Sequence, residues 1–213
     1  FCHNFDPACF ALELTAPTSI EAYGAGGVDA EMAPPGGVYY YQFPARGTMP
    51  PVELTWYDGQ TNLPPLPGNL GDSVVDPNIP PPSTGSIDTK KRPPGKVIYG
   101  EGLTFKGGSH GSTLSILEKE KAQDLESKLP VVPKSPSNHY KNFLLASQGK
   151  ETCRSPFSVA GPLCQAMAIG VLAQRVNAKL SFDPATRRIT NHKLADELLA
   201  GAPPRKGWEE YYR

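Results

Sequence analysis

Side chains able to do chemistry are sparse in this chain, and the first stands almost at its start. FCHNFD places His3 three residues before Asp6. An imidazole titrates near neutrality and can take or give a proton at that pH. On a helix the i, i+3 spacing puts Asp6 on the same face, where it pairs with the ring or caps the helix. Arg46, the only base among residues 1–88, could grip an anionic group, although an Arg at a strand end is more often solvated or paired with a neighbouring acid. His110 lies in GGSHGS, which reads as a turn reaching toward a pocket or as a plain hairpin loop. His139 precedes Tyr140 at a helix start, where unpaired backbone N–H groups are positioned to hold a ligand oxygen.

Generic nucleotide and metal motifs are absent. The sequence holds no GxGxxG after a strand, no GxxxxGK[ST] and no HExxH, and GAGG at 24–27 reads as a turn. Twenty-one acids offer too many carboxylate pairs to choose among. Cys2, Cys9, Cys153 and Cys164 lack CxxC spacing and clustered His partners, so they read as buried or free thiols rather than a zinc site, with a disulfide left open.

Charge divides along the chain. Residues 1–88 carry ten acids and one base, a net charge of −9, and residues 89–213 carry 20 bases and 11 acids, a net charge of +9. The later bases alternate with acids, as in EKEKAQDLESK, which is the pattern of a solvated helix face and not of a nucleic-acid surface. No run approaches the roughly 18 apolar residues of a membrane span. A soluble domain is expected, with the compartment open between bacterial cytoplasm and periplasm.

The elements that must position these residues follow from periodicity. Residues 5–14 read as a short helix with Pro7 near its start, PTSIEAYGA as a strand, and VYYYQFPAR and VELTWYDG as two more. Val52, Leu54 and Trp56 alternate with Glu53, Thr55 and Tyr57, so one face of that strand meets a core, and Trp56 with Tyr57 offers aromatic surface. Residues 59–95 hold nine prolines and five glycines without periodicity and read as a long surface loop. KVIYGEG and LTFKGG form a hairpin turning at Glu101-Gly102, and STLSIL a further strand.

Helices follow. EKEKAQDLESKL is exposed; SNHYKNFLLASQGK runs from an N-cap at Ser137 to a stop at Gly149, with Tyr140, Phe143 and Leu144 on one face. VAGPLCQAMAIGVLAQRVNAKL is apolar nearly all round and is expected to be the buried central helix. LSFDPATRRIT is a hairpin, and KLADELLA the last helix. The expected class is α+β: an open, mostly antiparallel sheet with helices packed on one face.

The ordered set CHNFDPACFALEL, APTSIEA, FPARGTMPPVELTWYDG, SPSNHYKNFLLASQGK, FSVAGPLCQAMAIGVLAQRVNAKLSFDPATRRITN and KGWEEYY resembles the C-terminal domain of the Gfo/Idh/MocA oxidoreductases. The resemblance spans almost the whole chain. It implies an open mixed sheet of the kind seen in the C-terminal domain of glyceraldehyde-3-phosphate dehydrogenase, serving across residues 1–213 as a substrate-binding and oligomerisation domain. The family's N-terminal Rossmann domain, which binds NAD or NADP, has no counterpart in these residues.

Family chemistry combines a lysine with a D-x-x-x-H pair. His3 matches that histidine; the aspartate would fall one position upstream of Phe1, and the lysine further upstream. The resemblance therefore implies His3 in proton transfer, a sugar, polyol or related hydroxyl compound as substrate, and a homo-oligomer; Arg46, His110 and His139 stand beside it as candidate substrate contacts read from the residues themselves. Without a cofactor domain, the residues in hand are expected to be inactive alone. An NAD-dependent glycosidase is a variant of this reading. Its rival is a non-catalytic carbohydrate-binding or assembly module using an exposed sheet face.

Overall fold

The computed structural model describes residues 2–24, 32–59, 95–108, 114–131 and 134–211. His110 and nearly all of the Pro-rich stretch 59–95 lie outside them. The chain divides into two compact units, one formed by Phe1–Ala8 with Leu66–Pro162 and one by Cys9–Pro65 with Leu163–Arg213. The architecture is α+β, with open antiparallel sheets.

The second unit holds a five-stranded sheet in the order β3-β2-β1-β7-β8. Its strands are β1 (Ser19–Gly24), β2 (Gly37–Phe43), β3 (Val52–Asp58), β7 (Leu180–Asp183) and β8 (Arg188–Ile189). Each described pairing is antiparallel. Period-two alternation decides which side is buried: Tyr39, Tyr41 and Phe43 of β2 point into the core, as do Ile20 and Ala22 of β1. Ile20 stands opposite both Tyr41 and Leu180, so this row is continuous across three strands. At the sheet edge, β3 has no fully buried residue and Trp56 is only half-buried.

Helix α4 (Phe157–Val176) crosses from one unit into the other, and in the second unit it seats on the buried face of the sheet. Its buried positions Ala166, Ile169, Gly170 and Ala173 fall at i, i+3, i+4 and i+7, one stripe of a helix. Gly170 is where helix and sheet come closest: a Cβ there would overlap the Tyr41 hydroxyl and stand 3.1 Å from Cζ. The expectation of a helix buried all round is corrected, because the sheet covers one side only and Val171 stays exposed, as does Phe157 at the helix start. Composition is not a guide to which side is covered. By length and mean hydropathy (20 residues, 1.4) α4 is also long and apolar enough to cross a membrane. Gln165 and Gln174 interrupt the apolar run and hide that property from a search for unbroken apolar residues.

Polar side chains lock the turns of this unit. Asp183 accepts from the Ala185 N–H at 3.0 Å and from the Thr186 hydroxyl at 2.6 Å, shaping the β7–β8 turn in which Arg187 takes a positive φ of 56°. Asn191 bridges from the Ser181 N–H to the Lys179 carbonyl, both at 2.8 Å. Helix α5 (Lys193–Ala200) is tied to β8 through Asp196, which accepts from the Ile189 N–H at 2.9 Å and pairs with the Arg188 guanidinium.

The first unit holds the three-stranded sheet β4 (Gly95–Tyr99), β5 (Thr104–Gly108) and β6 (Ser115–Ile116), with the expected hairpin turning at Glu101-Gly102, where Gly102 has φ 79°. It also holds α2 (Lys119–Glu126), exposed as expected, and α3 (His139–Ser147). The expected helix near the N-terminus is α1 (Cys2–Ala11), which begins earlier than its sequence pattern indicates, with Pro7 inside it. Pro7 offers no N–H to the His3 carbonyl one turn back.

Gly170→Ala forces a methyl group into the Tyr41 ring and is expected to cost about 1–3 kcal/mol, as overpacked cores do. Urea unfolding of the variant and of Gly170→Ala with Tyr41→Phe checks this. The double variant should recover part of the loss; an unchanged midpoint for the single variant would mean that α4 does not sit on Tyr41.

Candidate functional site

Helix α3 is the centre of the site, and it lies with its polar side in. The predicted N-cap at Ser137 moves one residue on: Asn138 caps the helix, its Oδ1 accepting from the Lys141 N–H at 2.8 Å. At the other end Gly149 (φ 70°) closes the helix as expected, its N–H donating to Ala146 while Lys150 donates to Leu145.

Ser137 is instead part of a buried polar knot. Its hydroxyl donates to Glu151 Oε2 at 2.7 Å, and Asn142 Nδ2 donates to the same oxygen at 2.9 Å and to the Thr152 carbonyl at 3.0 Å. Asn142 Oδ1 in turn accepts from the Arg154 N–H at 3.0 Å, and the Arg154 guanidinium reaches the Ser137 carbonyl at 2.6 Å and stands 3.7 Å from Glu151. Asn142 thereby fills its acceptor and both amide donations, which is what makes a buried Asn in a helix tolerable. The hydrogen bonds from Asn142 first, then that from Ser137, hold the Glu151 carboxyl below the usual carboxylate range.

With Asn142 only 4% exposed, the opposite face of α3 must point outward. Tyr140, Phe143 and Leu144, at i, i+3 and i+4, are 81%, 69% and 58% exposed. They line an open depression of about 460 Å³ together with His139, Cys153, Ser155 and Asn142, whose amide is already engaged in the knot. His139 stands edge-on to Tyr140, ring centroids 5.6 Å apart. The depression presents apolar and aromatic surface, with an imidazole, a thiol and a hydroxyl as its polar handles. That suits an apolar or ring-shaped surface of a ligand or partner more than an ion.

Two further sequence-derived candidates lie among the described residues, His3 in the first unit and Arg46 in the second. His3 is exposed on α1. Arg46 sits in the turn between β2 and β3 and donates to three backbone carbonyls, Leu12 at 2.8 Å and Pro44 and Pro50 at 2.9 Å each. Its guanidinium is therefore engaged in holding a turn. Among the described candidates His3, Arg46 and His139, it is His139 that lines the depression; His110 lies outside the described residues. All four cysteines are free thiols, and among the described residues no group of His, Cys, Asp and Glu could hold a metal ion.

A second, half-buried surface lies on the other face of the five-stranded sheet, with Tyr23 exposed on it. Register places Glu21, Tyr40 and Thr55 in one row and Tyr23, Val38 and Tyr57 in the next. Tyr23 donates to Glu21 at 2.5 Å and meets Tyr40 edge to face at 6.0 Å, while Gln42 donates to Glu53 at 2.7 Å. The hydrogen bond to Glu21 raises the Tyr23 phenol above its ordinary pKa.

Sequence reasoning missed the Ser137–Asn142–Glu151–Arg154 knot. Its one visible signal is Asn142 in mid-helix among Tyr140, Phe143 and Leu144, a residue type that weakens a helix interior unless its side chain is bonded. Compared with protein-family models, curated proteins and solved structures, the chain matches none.

Two outcomes test this geometry. Arg46→Ala should lower stability by about 1–3 kcal/mol through its lost hydrogen bonds to the backbone, read as a shift in the urea midpoint. A variant as stable as the parent would return Arg46 to the list of ligand contacts. For Glu151, the depressed folded pKa contributes stability that is full at neutral pH. It fades as pH drops below the ordinary value of 4.5 and is gone below the folded value. Asp183, Asp196 and Glu118 are depressed in the same sense, so the readout is the difference between parent and Glu151→Gln. The parent's advantage should shrink on acidification, and an advantage independent of pH would remove the carboxylate from the knot.

Proposed function

We propose that these residues form the substrate-binding and oligomerisation domain of an NAD(P)-dependent oxidoreductase acting on a sugar, polyol or related hydroxyl compound. The observation that carries this reading is the α+β architecture with its five-stranded antiparallel sheet, one face packed against α4 and the other half-buried. The segments that resemble the Gfo/Idh/MocA C-terminal domain form α1, β1, β3, α3, α4, the β7–β8 hairpin and the short 3-10 turn Glu209–Tyr211. In this reading NAD or NADP is held by a nucleotide-binding domain outside these residues and supplies hydride transfer. His3, exposed on α1, would take the hydroxyl proton while the carbon bearing that hydroxyl gives up its hydride to the oxidised nicotinamide, leaving a carbonyl. His139 contacts substrate from α3; the backbone bonds of Arg46 argue for a supporting part.

A second reading rests on a different observation, the outward apolar face of α3. Three large exposed apolar side chains at helical spacing form the kind of surface that a partner covers. On this reading the chain is an assembly module without catalysis, and Tyr140 and Phe143 are its anchors.

The test uses the natural protein as its gene encodes it, assayed for NAD- and NADP-dependent oxidation of sugars and polyols by nicotinamide absorbance. Turnover is expected, with His3→Ala lowering kcat about 10²–10⁴-fold and leaving cofactor affinity unchanged. A protein that binds neither cofactor and oxidises none of the panel overturns the oxidoreductase reading. Sedimentation then tests the other: Tyr140→Ser with Phe143→Ser should keep its unfolding midpoint and lose self-association, and a parent that is monomeric throughout removes the α3 face as an anchor between copies.

A further inference from the structure

We draw no further inference here: the strongest candidate, the depression on the outward face of α3 lined by Tyr140, Phe143 and Leu144, belongs to the site already described, and nothing in the structure shows what covers it.

Discussion

The Glu151 carboxylate takes hydrogen bonds from Ser137 and Asn142 on a single oxygen, and the orientation of α3 depends on that junction. A helix carrying Tyr140, Phe143 and Leu144 on one face would ordinarily turn that face inward, because apolar burial is worth about 1.5–3 kcal/mol for each large side chain. Here the opposite face carries Asn142, 4% exposed and bonded to Glu151, Thr152 and Arg154, and turning the helix over would give up those bonds. The outward aromatic surface lies above a satisfied polar layer.

In the other unit the organising contact is steric. Tyr41 is nearly fully buried, and burial drives its phenol well above the ordinary pKa, so the ring stays neutral. It fits only because α4 offers a residue without a side chain at Gly170. Ala166, Ile169 and Ala173 complete the stripe around that point. Small residues let the helix approach the sheet closely, which is how a 20-residue helix seats firmly through a narrow line of contact.

Charged groups at the margins serve geometry more than energy. Arg46 spends its donors on carbonyls of one turn and of the segment after α1. The Arg188–Asp196 pair is largely in water on the arginine side, so screening leaves its ionic part small; its use is to join β8 to α5 in register with the Ile189 N–H. What remains for recognition is aromatic and hydroxyl-rich: the Tyr23, Tyr40 and Tyr57 face of the sheet and the α3 depression. Both surfaces suit rings and apolar faces better than anions.

The α+β class, the order of the elements, the β4–β5 hairpin, the β7–β8 turn and the stop at Gly149 were legible in the amino-acid sequence alone. All of these depend on local chemistry: period-two alternation in VYYYQF, an Asp that bonds its own turn, a glycine free to take a positive φ. Tertiary structure decided what local chemistry leaves open. Which side of α4 meets the sheet depends on the shape of Tyr41, more than 100 residues away; which residue caps α3 and which of its faces turns inward depends on Glu151, on a segment beyond the helix. Arg46 shows the same limit at the candidate site. Its charge could be read from the sequence, but its use depends on three carbonyls that only the folded chain brings together, because a hydrogen bond is defined by distance in space and the sequence specifies distance along the chain.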